Sequence, residues 1–260
     1  MENKQSSTLS FEGLNKFFGK KKVLDDLSGF IQPKALTSLI GPNGAGKSTL
    51  LGIMSRLVKQ DTGTVFFLDK PMNSFKTEEL AKKLSILKQA NTIDLKLTVK
   101  DLVSFGRFPY CQGRLTKADW AKVDEALAFA DMKALEDAYL DELSGGQRQR
   151  AFIALVVAQD TDFVFLDEPL NNLDMKHAVQ VMKMLRRLVD ELGKTIVIVI
   201  HEINFAAQYS DRIVALKDGQ IRYNDATNAV IQQAVLQDIF DMEFAILEHN
   251  NKKICNYFNL

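Results

Sequence analysis

The run Leu39-Ile40-Gly41-Pro42-Asn43-Gly44-Ala45-Gly46-Lys47-Ser48-Thr49 joins an apolar stretch to glycines, a lysine and hydroxyls. That order suits a strand, a tight turn and a helix start built to hold a polyphosphate. Gly41, Gly44 and Gly46 let backbone N–H groups turn inward where a Cβ would obstruct them. The helix beginning near Lys47 adds roughly half a positive charge at its N-terminus. Lys47 is placed to reach β- and γ-phosphates, and the Ser48 hydroxyl to ligate Mg²⁺.

Two further groupings extend this chemistry. Asp167 and Glu168 close the wholly apolar stretch Phe163-Val164-Phe165-Leu166, where paired carboxylates are costly unless a cation or a reacting water uses them. Asp167 is expected to hold Mg²⁺, and Glu168 to orient and deprotonate the attacking water. Leu143-Ser144-Gly145-Gly146-Gln147 sets a hydroxyl and two glycines before a helix, a second anion site.

The elements around these groups must present them at strand ends. Leu9 to Phe18, a turn at Gly19 to Lys22, and Val23-Leu24 predict an antiparallel hairpin. Ala35 to Ile40, Phe163 to Leu166 and Thr195 to Ile200 are continuous apolar or hydroxylic runs, the pattern of strands buried on both faces. A helix is expected after the phosphate loop to about Val58, then strands at Thr64 to Leu68 and Ser85 to Leu87, with helix between them from Thr77 to Leu84. Gln89 to Asp160 reads as a helical insertion: Thr98 and Thr116 open helices, Arg107 to Arg114 forms a loop whose Arg107-Phe108-Pro109-Tyr110 run is aromatic, basic and exposed, and Ser144 caps a buried helix. Met175 to Leu192 carries an amphipathic stripe ended by Gly193. Asp218-Gly219 signals a hairpin, a helix follows over Thr227 to Phe240, and two short strands flank Asn250-Asn251.

The chain has 260 residues, with Lys plus Arg and Asp plus Glu at 33 each, so no basic field marks a nucleic-acid partner. Cys111 and Cys255 are far apart and lack metal-ligand spacing, as expected in a reducing compartment. No signal peptide and no apolar run long enough to span a membrane is legible.

Taken together, the motifs resemble the ATP-binding cassette (ABC) ATPase subunits of membrane transporters. The resemblance covers nearly the whole chain and implies an α/β P-loop NTPase fold. A mixed β-sheet core would carry an antiparallel β subdomain and a helical insertion, all in one domain. Its core would comprise residues 1–88 and 161–225, its insertion 89–160 and its C-terminal tail 226–260. It implies ATP and Mg²⁺ as ligands. It also implies a head-to-tail homodimer, in which Ser144, Gly145, Gly146 and Gln147 of one subunit close on the nucleotide held by the other's phosphate loop. Gln89 matches the glutamine that senses Mg²⁺ and water, and Asn172-Leu173-Asp174 the segment crossing the dimer interface. His201 matches the histidine on the γ-phosphate. Phe18, with Phe17 as neighbouring alternative, stands where the family has a tyrosine stacked on adenine.

A narrower likeness lies in Ser104-Phe105-Gly106-Arg107-Phe108-Pro109-Tyr110, Ala158-Gln159-Asp160-Thr161 and Glu168-Pro169-Leu170-Asn171-Asn172-Leu173-Asp174. These resemble ATPases of bacterial ferric-siderophore importers, catecholate types above all, with cobalamin and haem importers sharing much of the pattern. The implied partners are transmembrane permeases and, indirectly, a siderophore-binding protein, with the chain peripheral on the cytoplasmic membrane face. Soluble cassette ATPases acting on nucleic acid carry a long coiled coil or a second cassette, and neither is present. Degenerate cassettes usually lose the base, the histidine or the signature, whereas Glu168, His201 and Ser144 are all present.

Overall fold

The computed structural model describes residues 9–88, 95–111, 113–250 and 252–258. It forms two compact units, Met1–Phe75 with Thr195–Leu260, and Lys76–Lys194. The first segment runs through β1 (Leu9–Phe18), β2 (Lys21–Ile31), β3 (Leu36–Ile40), α1 (Lys47–Met54), β4 (Thr62–Phe67) and β5 (Lys70–Pro71). The second unit holds α2 (Thr77–Ala81), β6 (Leu84–Leu87), α3 (Val99–Ser104), α4 (Phe108–Cys111), α5 (Lys117–Phe129), α6 (Gly145–Ala158), β7 (Phe163–Asp167) and α7 (Met175–Asp190). The chain then returns to the first unit with β8 (Thr195–Val199), α8 (Ile203–Tyr209), β9 (Arg212–Lys217), β10 (Gln220–Ala226), α9 (Thr227–Val230), α10 (Gln233–Phe240), β11 (Ala245–His249) and β12 (Lys252–Asn256).

Two larger sheets and the small β11-β12 ribbon contribute strands to the first unit. The antiparallel one has the order β2-β1-β4-β5, and its hairpin turns at Gly19 with φ +59°. In the other, β3 lies parallel to β8 on one side and to β9 on the other, and β10 joins β9 antiparallel, so the sheet is mixed. Every residue of β3 and β8 is buried, as their unbroken apolar runs require. Asp218 and Gly219 both take positive φ, 50° and 75°, the backbone of a two-residue hairpin turn. The expected helix over Thr227 to Phe240 is instead two, because the chain turns extended at Gln232 while Val230, Ile231 and Leu236 are all buried. Helix α1 likewise stops at Met54 rather than near Val58. Arg56 adopts φ +61°, and the amides of Leu57 and Val58 fold back onto the Gly52 carbonyl at 2.9 and 3.0 Å.

In the second unit β6 and β7 pair in parallel, Leu84 opposite Phe163 through Leu87 opposite Leu166. Helix α6 packs against α3 and α5. Both expected threonine caps form: Thr98 Oγ1 accepts the Asp101 amide at 3.1 Å and Thr116 Oγ1 the Asp119 amide at 3.3 Å. The Arg107 to Arg114 segment departs from the expected exposed loop. Phe105–Arg107 is a turn of 3₁₀-helix leading into α4, and Arg107 is buried. Its Nε donates to Asp119 Oδ1 at 3.1 Å and its NH1 to the Ala158 carbonyl at 2.8 Å, while its guanidinium lies 4.0 Å from the Tyr110 ring centroid. Phe105, Phe108 and Tyr110 keep exposed rings. No helix of the described residues is long and apolar enough to cross a membrane.

Candidate functional site

The phosphate loop leaves the C-terminal end of β3, and its backbone is held by close packing. Gly41 has φ +138°, and a Cβ there would stand 2.0 Å from the Leu216 carbonyl oxygen on β9. At Gly46, φ +102°, a Cβ would stand 2.5 Å from Leu24 Cδ2. Gly44, φ +80°, differs: nothing lies within 4 Å of where its Cβ would be, so that side of the loop is open. Gly46 is also the N-cap of α1, and no side chain caps that end. Lys47 is buried, and its Nζ donates to the Gly41 and Pro42 carbonyls at 2.7 and 2.9 Å. A buried ammonium against neutral carbonyls, in a glycine cradle at an uncapped helix start, fits a polyphosphate.

His201 belongs to the same edge. The β3–β8 register sets Leu39 opposite Val199, and the Ile200 amide continues the ladder to the Leu39 carbonyl at 3.3 Å. Residues 41 and 201 thus leave adjacent parallel strands at the same level, with His201 exposed. Phe17 and Phe18 end β1 with exposed rings, 42% and 54% accessible.

The second unit carries the carboxylates and the Ser-Gly-Gly turn. Asp167 is the last residue of β7, half-buried after four buried apolar residues. Glu168 follows with φ +51°, a left-handed backbone that costs energy in a residue with a Cβ. Asn171 Nδ2 donates to Glu168 Oε2 at 2.5 Å, and the Asn171 amide to the Glu168 carbonyl at 3.2 Å. Ser144 caps α6 reciprocally: its Oγ accepts the Gln147 amide at 3.3 Å, and Gln147 Oε1 accepts the Ser144 amide at 2.9 Å. Gln147 therefore shapes the turn, a role that the Ser-x-x-Gln spacing could have announced.

Asp174 N-caps α7, its Oδ1 accepting the His177 amide at 2.9 Å and lying 2.8 Å from His177 Nδ1. The His177 amide is the main cause that holds the Asp174 carboxyl below its usual range. His177 is the residue here that the motifs did not single out, while Asn171, quoted within the Glu168 to Asp174 segment, was given no role of its own there. Gln89 lies outside the described residues. Among the described residues no cluster of three or more His, Cys, Asp or Glu could hold a metal alone. The Ser48 hydroxyl in the first unit and the Asp167 carboxylate in the second are each, taken singly, the kind of hard oxygen donor that Mg²⁺ takes in small number, with phosphate and water completing its shell.

Residues 24–171 match the family model described as ABC transporter. The chain is 58% identical over 246 residues to the petrobactin import ATP-binding protein YclP of Bacillus subtilis (strain 168), covering 95% of this chain and 98% of that one. It is 47% identical over 240 residues to the petrobactin import ATP-binding protein FatE of Bacillus anthracis, covering 92% and 96%. Among solved structures, the dimeric bacterial ABC transporter cassette MJ0796 superposes with a TM-score of 0.74 at 30% identity, over 84% of this chain and 98% of that one. The chain belongs to the ABC transporter family, as an ATP-binding cassette ATPase.

Proposed function

We propose that this chain works as a homodimer on the cytoplasmic face of a membrane, docked on transmembrane permeases, and that its ATP hydrolysis drives import of a ferric siderophore delivered by a binding protein. The observation that carries the cargo is the likeness to YclP over almost the entire length of both chains, with FatE sharing the same printed cargo. The exposed rings of Phe105, Phe108 and Tyr110 are the surface we assign to the permease.

We assign the roles to the residues that the motifs single out, and the packing of the phosphate loop around Lys47 supports the reading. Lys47 pairs with the β- and γ-phosphates from inside the loop, and the amides at the start of α1 take phosphate oxygens. Ser48 and Asp167 supply oxygen ligands for Mg²⁺, which when bound neutralises charge on the phosphoryl oxygens. Glu168, its carboxylate oriented by Asn171, accepts the proton of the attacking water. His201 donates to the γ-phosphate, and Gln89 senses the metal and the water. Ser144, Gly145, Gly146 and Gln147 of the partner subunit close the site, while Asp174 stands at the crossing between subunits. Phe18 stacks on adenine.

Uptake of radioactive iron as ferric petrobactin, measured in cells deleted for this chain, tests the reading. Uptake should be lost, and should return with the wild-type chain but not with Glu168→Gln. Undiminished uptake in the deleted cells would overturn the cargo assignment.

A further inference from the structure

Strand β1 outruns its neighbour. Its pairing with β4 ends at Asn15 opposite Thr62, whereas its pairing with β2 continues to Phe18. The backbone groups of β1 that face β4 beyond that point need another partner. Asp61, immediately before β4, provides it: the Phe17 amide donates to Asp61 Oδ2 at 2.6 Å, and the Asp61 amide donates to the Asn15 carbonyl at 2.9 Å. Asp61 Oδ1 also takes the Lys16 ammonium at 3.3 Å. One carboxylate thus fixes both the backbone and the cation at the end of the strand.

The register then decides between the two phenylalanines. Leu24 turns its side chain to the phosphate loop, since a Cβ on Gly46 would meet Leu24 Cδ2. Lys16 is directly opposite Leu24 in the ladder and shares its face. The ladder shifts between Lys16 and Phe17, but the extra residue there, Val23, lies on β2, so β1 keeps its own alternation: Phe18 falls on that face with Lys16, and Phe17, directly opposite Lys22, on the other. The cation contacts agree: Lys16 Nζ is 5.3 Å from the Phe18 centroid, and Lys22 Nζ is 5.7 Å from that of Phe17. An ammonium over one face of Phe18 leaves the opposite face for a nucleobase.

We infer that Asp61 is a positioning residue for the nucleobase: through the Phe17 amide and Lys16 it holds the end of β1 so that Phe18, on the phosphate-loop face, presents its ring to adenine. The inference rests on the reading of this chain as an ATPase. It assigns Asp61 no contact with the nucleotide. Its effect should therefore be confined to ligands that carry a base.

Calorimetric titration of the full chain with ATP and with inorganic tripolyphosphate, which lacks the base, separates the two. Base stacking on an aromatic ring corresponds to roughly 5- to 150-fold in affinity. Phe18→Ala should lose ATP affinity within that range, Asp61→Ala about 5-fold or more, and the double variant no more than Phe18→Ala alone. Asp61→Asn keeps an acceptor for the Phe17 amide but drops the charge, and should fall between wild type and Asp61→Ala. Tripolyphosphate should bind all of them as it binds wild type. Undiminished ATP affinity in Asp61→Ala, an equal loss of both ligands, or losses that multiply in the double variant would overturn the assignment. A wild-type chain that binds neither ligand would instead overturn the nucleotide reading beneath it.

Discussion

The imidazole of His177 lies directly against the backbone of Gly146: a Cβ built on that glycine would stand 2.2 Å from His177 Cδ2. The same imidazole is 2.8 Å from Asp174 Oδ1, so one ring ties the Ser-Gly-Gly turn of α6 to the start of α7. Gly146 is required here by contact. Its counterpart Gly145 has only the Asn172 carbonyl within reach, at 4.0 Å.

Gly146→Ala should therefore displace His177 and cost about 1–3 kcal/mol of stability, the usual range for overpacking. Combining it with His177→Ala should recover at least half of that loss, because the two residues share one contact. Urea unfolding of the single and double variants measures both, and additive losses would contradict the contact.

Arg107 gives a second prediction. Its ion pair with Asp119 is nearly inaccessible, 9% and 8% exposed at the side chains. Truncation removes the charged partner of Asp119, whose Oδ2 keeps the Thr116 amide and hydroxyl, and takes the donor from the Ala158 carbonyl, so Arg107→Ala should destabilise by roughly 1–3 kcal/mol. A surface arginine would cost within about 0.5 kcal/mol. The same unfolding experiment distinguishes them.

The contrast between these two sites and the phosphate loop shows what a sequence exposes. Gly41 to Ser48 was legible because its chemistry is local: each glycine, the lysine and the hydroxyl are needed within one turn of chain. Strands β3, β7 and β8 were legible because burial on both faces leaves no polar alternation. Arg107 was misread as exposed because its partners, Asp119 and Ala158, lie 12 and 51 residues away. Asp61 was silent for the same reason, since the amide it accepts belongs to Phe17, 44 residues upstream. The helix expected to Val58 ended early because Arg56 takes a left-handed backbone that no periodicity announces.

Cys255 carries the pH prediction. Burial raises its thiol from 9.0 to about 11. A folded pKa above the unfolded value means that the contribution to stability is whole below about pH 9 and is lost as pH rises toward 11. The difference in stability between wild type and Cys255→Ala should be flat up to pH 9 and shrink above it. A flat difference through pH 11 would show that the thiol ionises in the folded chain as freely as in the unfolded one.

In the proposed reaction Glu168 takes the proton while other groups bind the nucleotide, and measuring both binding and turnover in Glu168→Gln separates the two. The substitution keeps size and the hydrogen bond to Asn171 but removes the base. With Lys47, Ser48 and Asp167 intact, ATP and Mg²⁺ should bind with near wild-type affinity, whereas Lys47→Ala should lose binding altogether. Hydrolysis in Glu168→Gln should fall by about 10² to 10⁴, the usual worth of a general base, and the ATP-loaded dimer should accumulate on sizing, to be undone by Ser144→Arg. Near-normal turnover in Glu168→Gln, or a loss of ATP affinity matching the loss of rate, would show that Glu168 is not the base.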